Sequence, residues 1–341
     1  MNTLDYEDGP RSSKYELPRD LIGYGENSLN SEWPNGARIA ISFVLNYEEG
    51  SESCIINGDD GSEAYIWERC GTASKQIGER SLTSESDFEY GSRVGAWRIL
   101  RLFREFNYPM TVYAVAQAFV KNPGFAKACV RNGHEIANHG LRWLDWKTLS
   151  DTEQVEMIKK AILLLKECSG EVPVGAYMGR GNIRTPALVS EAHKQLGLPL
   201  LWESDCYNDD VPYWRDLPQE KELPDNEKQG LLMIPYSYTT NDLKFVSSSP
   251  GSGFSCGLTY EDYLKQEFDQ LYREGGKLMN VPMHSRIVGK PGRANALRSF
   301  MKYISSKEGV WVCRRRDIAK HFESKFPYVP GNLELYVDNN E

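Results

Sequence analysis

Hydrophobic and polar positions along this chain switch repeatedly between a period of two and a period near 3.6. Residues 37–46 (ARIAISFVLN) are rich in β-branched and aromatic types, follow a Pro-Asn-Gly turn and run into Tyr47-Glu48-Glu49-Gly50. This pattern predicts a strand that delivers two carboxylates at its carboxyl end. From Gly91 to Asn107, Val94, Trp97, Leu100 and Phe103 recur at helical spacing, and Met110 to Val115 after Pro109 reads as a buried strand. A helix is predicted over 123–132, a short strand over 134–138, and a helix over 151–168 with the face Val155, Ile158, Ile162 and Leu165. Ser150-x-x-Glu153 opens that last helix as a capping box. Further strands are expected at 174–178, 198–202, 231–235, 278–283 and 310–312, with helices near 186–196, 260–274, 291–305 and 317–326.

Seven or eight strands alternating with helices predict an α/β protein with a parallel sheet. In 341 residues they predict a distorted (β/α) barrel of about seven strands forming a single domain. The expected division is a polar amino-terminal arm over 1–20, the barrel over 21–330 and a polar tail over 331–341. No internal repeat is visible. Two long segments break the alternation: 51–89, polar and irregular, and 212–230, charged and interrupted by Pro218 and Pro224. Loops of such length in a compact domain are commonly binding loops or lids, and in a barrel they sit at the rim where strands end.

The apolar share of 40%, with 8 Trp, 19 Tyr and 12 Phe, is enough for a sizeable core. A net charge of -8 argues against binding nucleic acid or an anionic membrane, which needs clustered Lys and Arg. Arg314-Arg315-Arg316 is the only tight basic run, and so short a run reads as a solvated strand end. The acidic, polar start lacks a basic-then-apolar leader, and no apolar stretch nears the ~20 residues of a membrane helix, so a cytoplasmic location is expected. Seven scattered cysteines without a Cys-x-x-Cys pair read as reduced, mostly buried thiols.

Several predicted strands stop at a polar cluster: Glu48-Glu49, then His139, Arg180, Asp205 and His284. Side chains at the carboxyl ends of barrel strands converge on active sites. Amide hydrolysis needs a base for water, a donor or cation for the oxyanion and an acid for the departing nitrogen. Adjacent carboxylates, two histidines and an arginine supply those parts. Trp143 and Trp146 can floor a pocket for a flat ring or pack in the core. Asn208, Asp209, Asp210, Asn241 and Asp242 either bond a nitrogen-rich ligand or serve as turn residues. Arg286 and Arg293 either neutralise a carboxylate product or cap the helix near 291. The glycines around Arg180 and at Gly251-x-Gly253 lack the context of a phosphate-binding fingerprint.

Five segments, in order, carry a resemblance: Asn46-Tyr47-Glu48-Glu49-Gly50, Gly133-His134-Glu135-Ile136-Ala137-Asn138-His139-Gly140, Asp205-Cys206-Tyr207-Asn208-Asp209-Asp210, Pro235-Tyr236 with Thr240-Asn241-Asp242, and Pro282-Met283-His284-Ser285-Arg286. Over residues 15–326 the chain resembles the polysaccharide deacetylase superfamily in its allantoinase-like branch. The resemblance implies a distorted barrel and water-driven hydrolysis of an acetamide or cyclic amide. It implies Glu48 as base, Glu49 and His139 as metal ligands, and Asp205 as a group orienting a catalytic partner. The family's second histidine, four residues after His139, is replaced by Trp143, which leaves two of three usual ligands. Two alternatives follow for cofactors: none, or a weakly held zinc or cobalt ion. Without metal, Glu48 or Glu49 activates water while Arg180 and His284 polarise the carbonyl or protonate the nitrogen. Arg180 can equally form a salt bridge to Glu48 or Glu49. Trp143, Asn208, Asp209, Asn241 and Arg286 are the expected substrate contacts, His134 a structural or supporting group, and a homo-oligomer the expected assembly.

The leading expectation is ring opening of a cyclic amide or ureide such as allantoin. The second is metal-dependent N-deacetylation of chitin or N-acetylglucosamine oligomers, and the third a catalytically silent binding protein.

Overall fold

The strand that begins the barrel, β1 (Ile39–Tyr47), is buried along its whole length, so both its faces must be covered. Its parity divides two cores. Ile39, Ile41, Phe43, Leu45 and Tyr47 pack outward against helices, while Ala40 and Val44 point into the barrel. In the computed structural model, which describes residues 14–69, 74–246 and 253–331, eight more strands follow: β2 (Thr111–Ala114), β3 (Glu135–Asn138), β4 (Gly175–Ala176), β5 (Trp202–Glu203), β6 (Tyr213–Arg215), β7 (Leu231–Met233), β8 (Lys277–His284) and β9 (Val310–Val312). Cys70, Gly251 and the tail after 331 lie outside the described residues, as does the arm before residue 14.

The sheet runs β6-β7-β5-β4-β3-β2-β1-β8, parallel except for β6 against β7. β8 takes one edge of β1 from Ile39 to Asn46, so β9, paired to Ile39–Ile41, and β2, paired to Val44–Tyr47, share the other. The open seam beside β8 is closed without a ladder: Leu278 N–H donates to the Asp210 carbonyl, Asn280 Nδ2 to the Pro235 carbonyl, and Thr240 Oγ1 to the Asn280 carbonyl. The molecule is therefore a curled, distorted (β/α) barrel.

The helices are α1 (Leu82–Tyr90), α2 (Ala96–Phe106), α3 (Ala116–Lys121), α4 (Pro123–Arg131), α5 (Asp151–Ser169), α6 (Thr185–Leu196), α7 (Gly257–Glu274), α8 (Pro291–Ser305) and α9 (Arg315–Lys325). The Ser150–Glu153 capping box opens α5 as the sequence pattern requires. Elsewhere the pattern was incomplete. Leu82 to Glu89, read as irregular, is helical, and β6 lies inside the segment read as a charged loop. The basic run is not solvated either. Arg315 is fully buried, its guanidinium donating to Ser204 Oγ and to the Ile234 and Pro235 carbonyls across the barrel. Arg314 and Arg316 pair with Asp317 and Glu171. No described helix is long and apolar enough to cross a membrane. The described cysteines are all free.

Candidate active site

Register brings the strand ends to one level. Asn46 pairs with His284, while Tyr47, Ala114, Asn138 and Ala176 are successive partners across β1 to β4. Glu48, His139 and Tyr177, each one residue beyond, therefore share a layer, and His284, level with Asn46, stands two residues before Glu48 on the same inward face. All four line one cavity of about 30 Å³ together with Asn46, Tyr65, Ile66, Trp143, Arg180, Tyr236, Tyr238 and Asn241. That is room for about one water molecule. Tyr65 and Tyr238, both near 45% exposed, stand at its mouth.

Glu48 is the hub. Its Oε1 lies 3.2 Å from His139 Nε2 and 3.7 Å from His284 Nε2, and its Oε2 accepts from Arg286 Nη2 at 2.7 Å. Burial alone would raise the Glu48 carboxyl, but Arg286 and then the two imidazoles outweigh it and hold it well below the usual carboxylate range. Each imidazole is fixed from behind. His139 Nδ1 lies 2.6 Å from the Tyr177 carbonyl, and His284 Nδ1 lies 2.6 Å from Asp242 Oδ1. A carbonyl and a carboxylate only accept, so both Nδ1 atoms carry hydrogen. Both Nε2 atoms consequently face Glu48.

Asp242 also accepts the backbone N–H groups of His284 and Val288, at 2.7 and 3.0 Å. It thus sets both the tautomer and the position of His284, the role a second carboxylate plays behind a catalytic imidazole. The sequence supplied its signal in Asn241-Asp242, which was read only as turn or ligand contact.

Glu49 faces away from the cavity. Its Oε1 accepts from the Arg286 backbone and Nη1 at 3.2 and 3.4 Å, and its Oε2 accepts from Glu48 N–H. This closeness depends on Gly91, the first residue of a π-helical turn (Gly91–Gly95), because a β-carbon there would lie 2.5 Å from Glu49 Oε1 and 2.9 Å from the Arg286 backbone nitrogen. Burial, opposed by Arg286 and reinforced by Glu48, pushes the Glu49 carboxyl up to about 7. Its folded value then exceeds the unfolded one, so its contribution to stability is present below about 4.5 and lost as pH rises to about 7. Glu49→Gln is expected to gain on the order of 2 kcal/mol relative to the wild type between pH 5 and pH 8, measured by denaturant unfolding at both. A pH-independent difference would contradict the raised value.

Other sequence candidates are placed as follows. Arg286 is fully buried, bridges Glu48 and Glu49, donates Nε to the Ile66 carbonyl and lies over the rings of Phe88 and Trp143. Arg180 reaches neither carboxylate. It pairs with Glu63 at 3.4 Å, donates to the Trp143 carbonyl and covers the Trp143 ring. Glu63 belongs to the 51–89 segment, which also contributes Tyr65 and Ile66 to the cavity roof. Asp205 accepts from the Met178 and Gly179 N–H groups, both at 2.7 Å, and so shapes the turn carrying Arg180. Trp143 lines the cavity, whereas Trp146 packs into a separate cluster. Asn208 and Asp209 are not brought to it. They border an open groove with residues 20–28, and neighbouring Asp210 bonds Leu278, six residues and about 20 Å down β8 from His284. Arg293 pairs with Glu68. His134 accepts from Met110 N–H at the far end of β3, its pKa pushed down to about 4 by burial, then by Arg314 and Arg104.

Among the described residues, no three His, Cys, Asp or Glu side chains form a group that could hold a metal ion. Glu49 is turned onto Arg286, the carboxylate that meets His139 is Glu48, and Trp143 stands four residues on. The set that the resemblance implies for a three-ligand divalent site, Glu49, His139 and a histidine four residues on, is therefore not assembled.

Comparison with known proteins bears on the fold and the family. Residues 83–201 match the polysaccharide deacetylase family. A Schizosaccharomyces pombe protein named for polysaccharide deacetylation is 38% identical over 319 residues, 91% of this chain and 98% of its own. Two crystal structures are each 43% identical with TM-scores of 0.84. One is a Pseudomonas aeruginosa PAO1 protein named for the same activity, aligned over 91% of this chain and 99% of its own. The other is described as Puue allantoinase, over 92% and 100%. The fold and these relatives define a barrel hydrolase acting on C–N bonds. The chain belongs to the polysaccharide deacetylase family.

Proposed function

We propose that this protein opens a cyclic amide or ureide ring, with allantoin the leading substrate, without a resident metal ion. The observation that carries this reading is Arg286. A fixed, buried cation compensates the two adjacent carboxylates whose charge a divalent ion would otherwise balance. The roofed cavity favours a compact substrate over a polymer chain, with Tyr65 and Tyr238 turning outward to admit it. Trp143 and the stacked Tyr177 and Tyr236 offer flat walls for a planar ring. The 43% identity to the allantoinase structure supports the same substrate class.

In this reaction water attacks a ring carbonyl and gives a proton to Glu48, held ionised by Arg286. The C–O bond forms as the carbonyl electrons move to oxygen, Glu48 passes the water proton to His284 Nε2 3.7 Å away, and as the carbonyl re-forms the C–N bond breaks and the ring nitrogen takes that proton from Nε2. Asp242 stabilises the imidazolium that makes this delivery. Arg180 borders the mouth and polarises the substrate there.

The test is ring opening of allantoin by chelator-treated protein, beside acetate release from N-acetylglucosamine oligomers with and without zinc or cobalt. Metal-independent ring opening supports the proposal. Metal-stimulated acetate release without ring opening would replace it with N-deacetylation.

A further inference from the structure

Tyr236 follows β7 and lines the cavity together with Glu48 and His284. Two side-chain amides converge on that oxygen, Asn46 Nδ2 at 3.0 Å and Asn241 Nδ2 at 3.0 Å. Their orientations are fixed independently. Asn46 Nδ2 also donates to the Met283 carbonyl, and Asn241 Oδ1 accepts from Leu243 N–H, so in both residues the nitrogen is the atom that must face the phenol. A phenol oxygen has two acceptor positions and one hydrogen. With both positions filled by N–H groups, the hydrogen of Tyr236 has no acceptor assigned in the protein, and the cavity is the space before it. Accepting two hydrogen bonds also polarises the O–H and strengthens it as a donor. Burial keeps the phenol protonated, pushing its pKa well above the usual value.

Donors arranged before the reaction, in a dry site and aimed where negative charge develops, are what carbonyl hydrolysis requires. We infer that the Tyr236 hydroxyl is the oxyanion donor of this site, bonding the carbonyl oxygen of the substrate as water adds. Its neighbours then have separate duties: Glu48 takes the water proton, His284 protonates the departing nitrogen, and Asn46 and Asn241 are positioning residues that hold the phenolic hydrogen toward the substrate. The inference rests on amide hydrolysis at this cavity, but on neither substrate in particular, since ring opening and deacetylation pass through the same oxyanion.

The experiment compares wild type with Tyr236→Phe on whichever of allantoin and N-acetylglucosamine oligomers the wild type turns over. The expected result is a fall in kcat of about 10²–10³-fold with KM within about threefold. A tetrahedral phosphonamidate analogue of the substrate should lose affinity by a similar factor, while the planar product binds as before. A purely structural role would weaken both ligands alike. If the wild type opens allantoin and Tyr236→Phe retains kcat within fivefold, the oxyanion role is overturned and the proposed activity stands. If the wild type releases only acetate, the proposed substrate fails and the same comparison on acetate release decides the role of Tyr236. Should Tyr236→Phe not fold, Asn241→Asp carries the test. It keeps the shape and the bond from Leu243 N–H but presents an acceptor that draws the phenolic hydrogen out of the cavity. A loss of tenfold or more in kcat is then expected, and an unchanged kcat overturns the inference.

Discussion

Glu48→Gln is expected to lower kcat for amide hydrolysis by about 10²–10⁴-fold, the usual worth of a positioned general base, with KM changed only a few-fold. The substitution keeps volume and removes one charge from a buried group of three. In the wild type, Glu48 is the carboxylate that both imidazoles meet and the one that faces the cavity. Glutamine cannot take the proton of an attacking water or pass it on to His284. The fold should survive, because Arg286 keeps Glu49 as its counter-ion and Glu49, freed from repulsion by Glu48, ionises more readily. Steady-state kinetics with a thermal unfolding check would read both effects. A Gln variant within tenfold of wild type would transfer the base role to another group, and the histidines would be next to test.

Much of this site was legible because strand parity is a strict constraint. Ala40, Val44 and Asn46 share a parity with Glu48, so a strand that buries alternate residues in the barrel must aim Glu48 inward. The same argument runs from Ala137 to His139 and from Leu278 and Asn280 to His284. Glu49, of the opposite parity, had to point elsewhere, and the pairing of the two carboxylates as base and metal ligand depended on resemblance rather than on parity.

What the chain did not disclose lies in segments without a period. Residues 51–69 supply Glu63 to Arg180 and the Ile66 carbonyl to Arg286, contacts across more than a hundred residues that no spacing encodes. Ile66 adopts a positive φ of 48°, rare for a β-branched residue, and in that conformation its carbonyl meets the guanidinium. Asn208 and Asp209 sat in a matching motif yet follow the chain down the barrel wall, since direction after a strand end is set by the next pairing and not by residue type. Arg315 departs from the expected solvated run for a related reason: a short basic run does not reveal that one member crosses a barrel interior to reach three acceptors.

The largest effect on folding is expected at Arg286, where Arg286→Met should destabilise the protein by about 3–5 kcal/mol, about 5 °C in Tm for a chain of this length. Methionine fills much of the space between Phe88 and Trp143, so lost packing is a small part of the cost. The larger part is electrostatic. Two adjacent carboxyls, both buried, lose their shared cation, and the Ile66 carbonyl loses its donor. Without the guanidinium, both carboxyls shift above their unfolded value near 4.5. Their protonated forms are then compatible with the fold below that pH, and stability is lost as pH rises above it. The deficit relative to wild type should therefore be full at neutral pH and shrink only as pH falls well below 4.5, where the wild type's own Glu48 begins to protonate. Activity should fall with it, because an unpaired Glu48 protonates and ceases to be a base. Adding Glu49→Gln to Arg286→Met separates charge from shape: removing one of the stranded carboxyls should recover 1 kcal/mol or more at pH 8, by roughly the energy of one relieved buried repulsion. A double variant no more stable than the single one would assign the cost to the aromatic contacts of Arg286, and with it would go the argument that this arginine takes the electrostatic place of a metal ion.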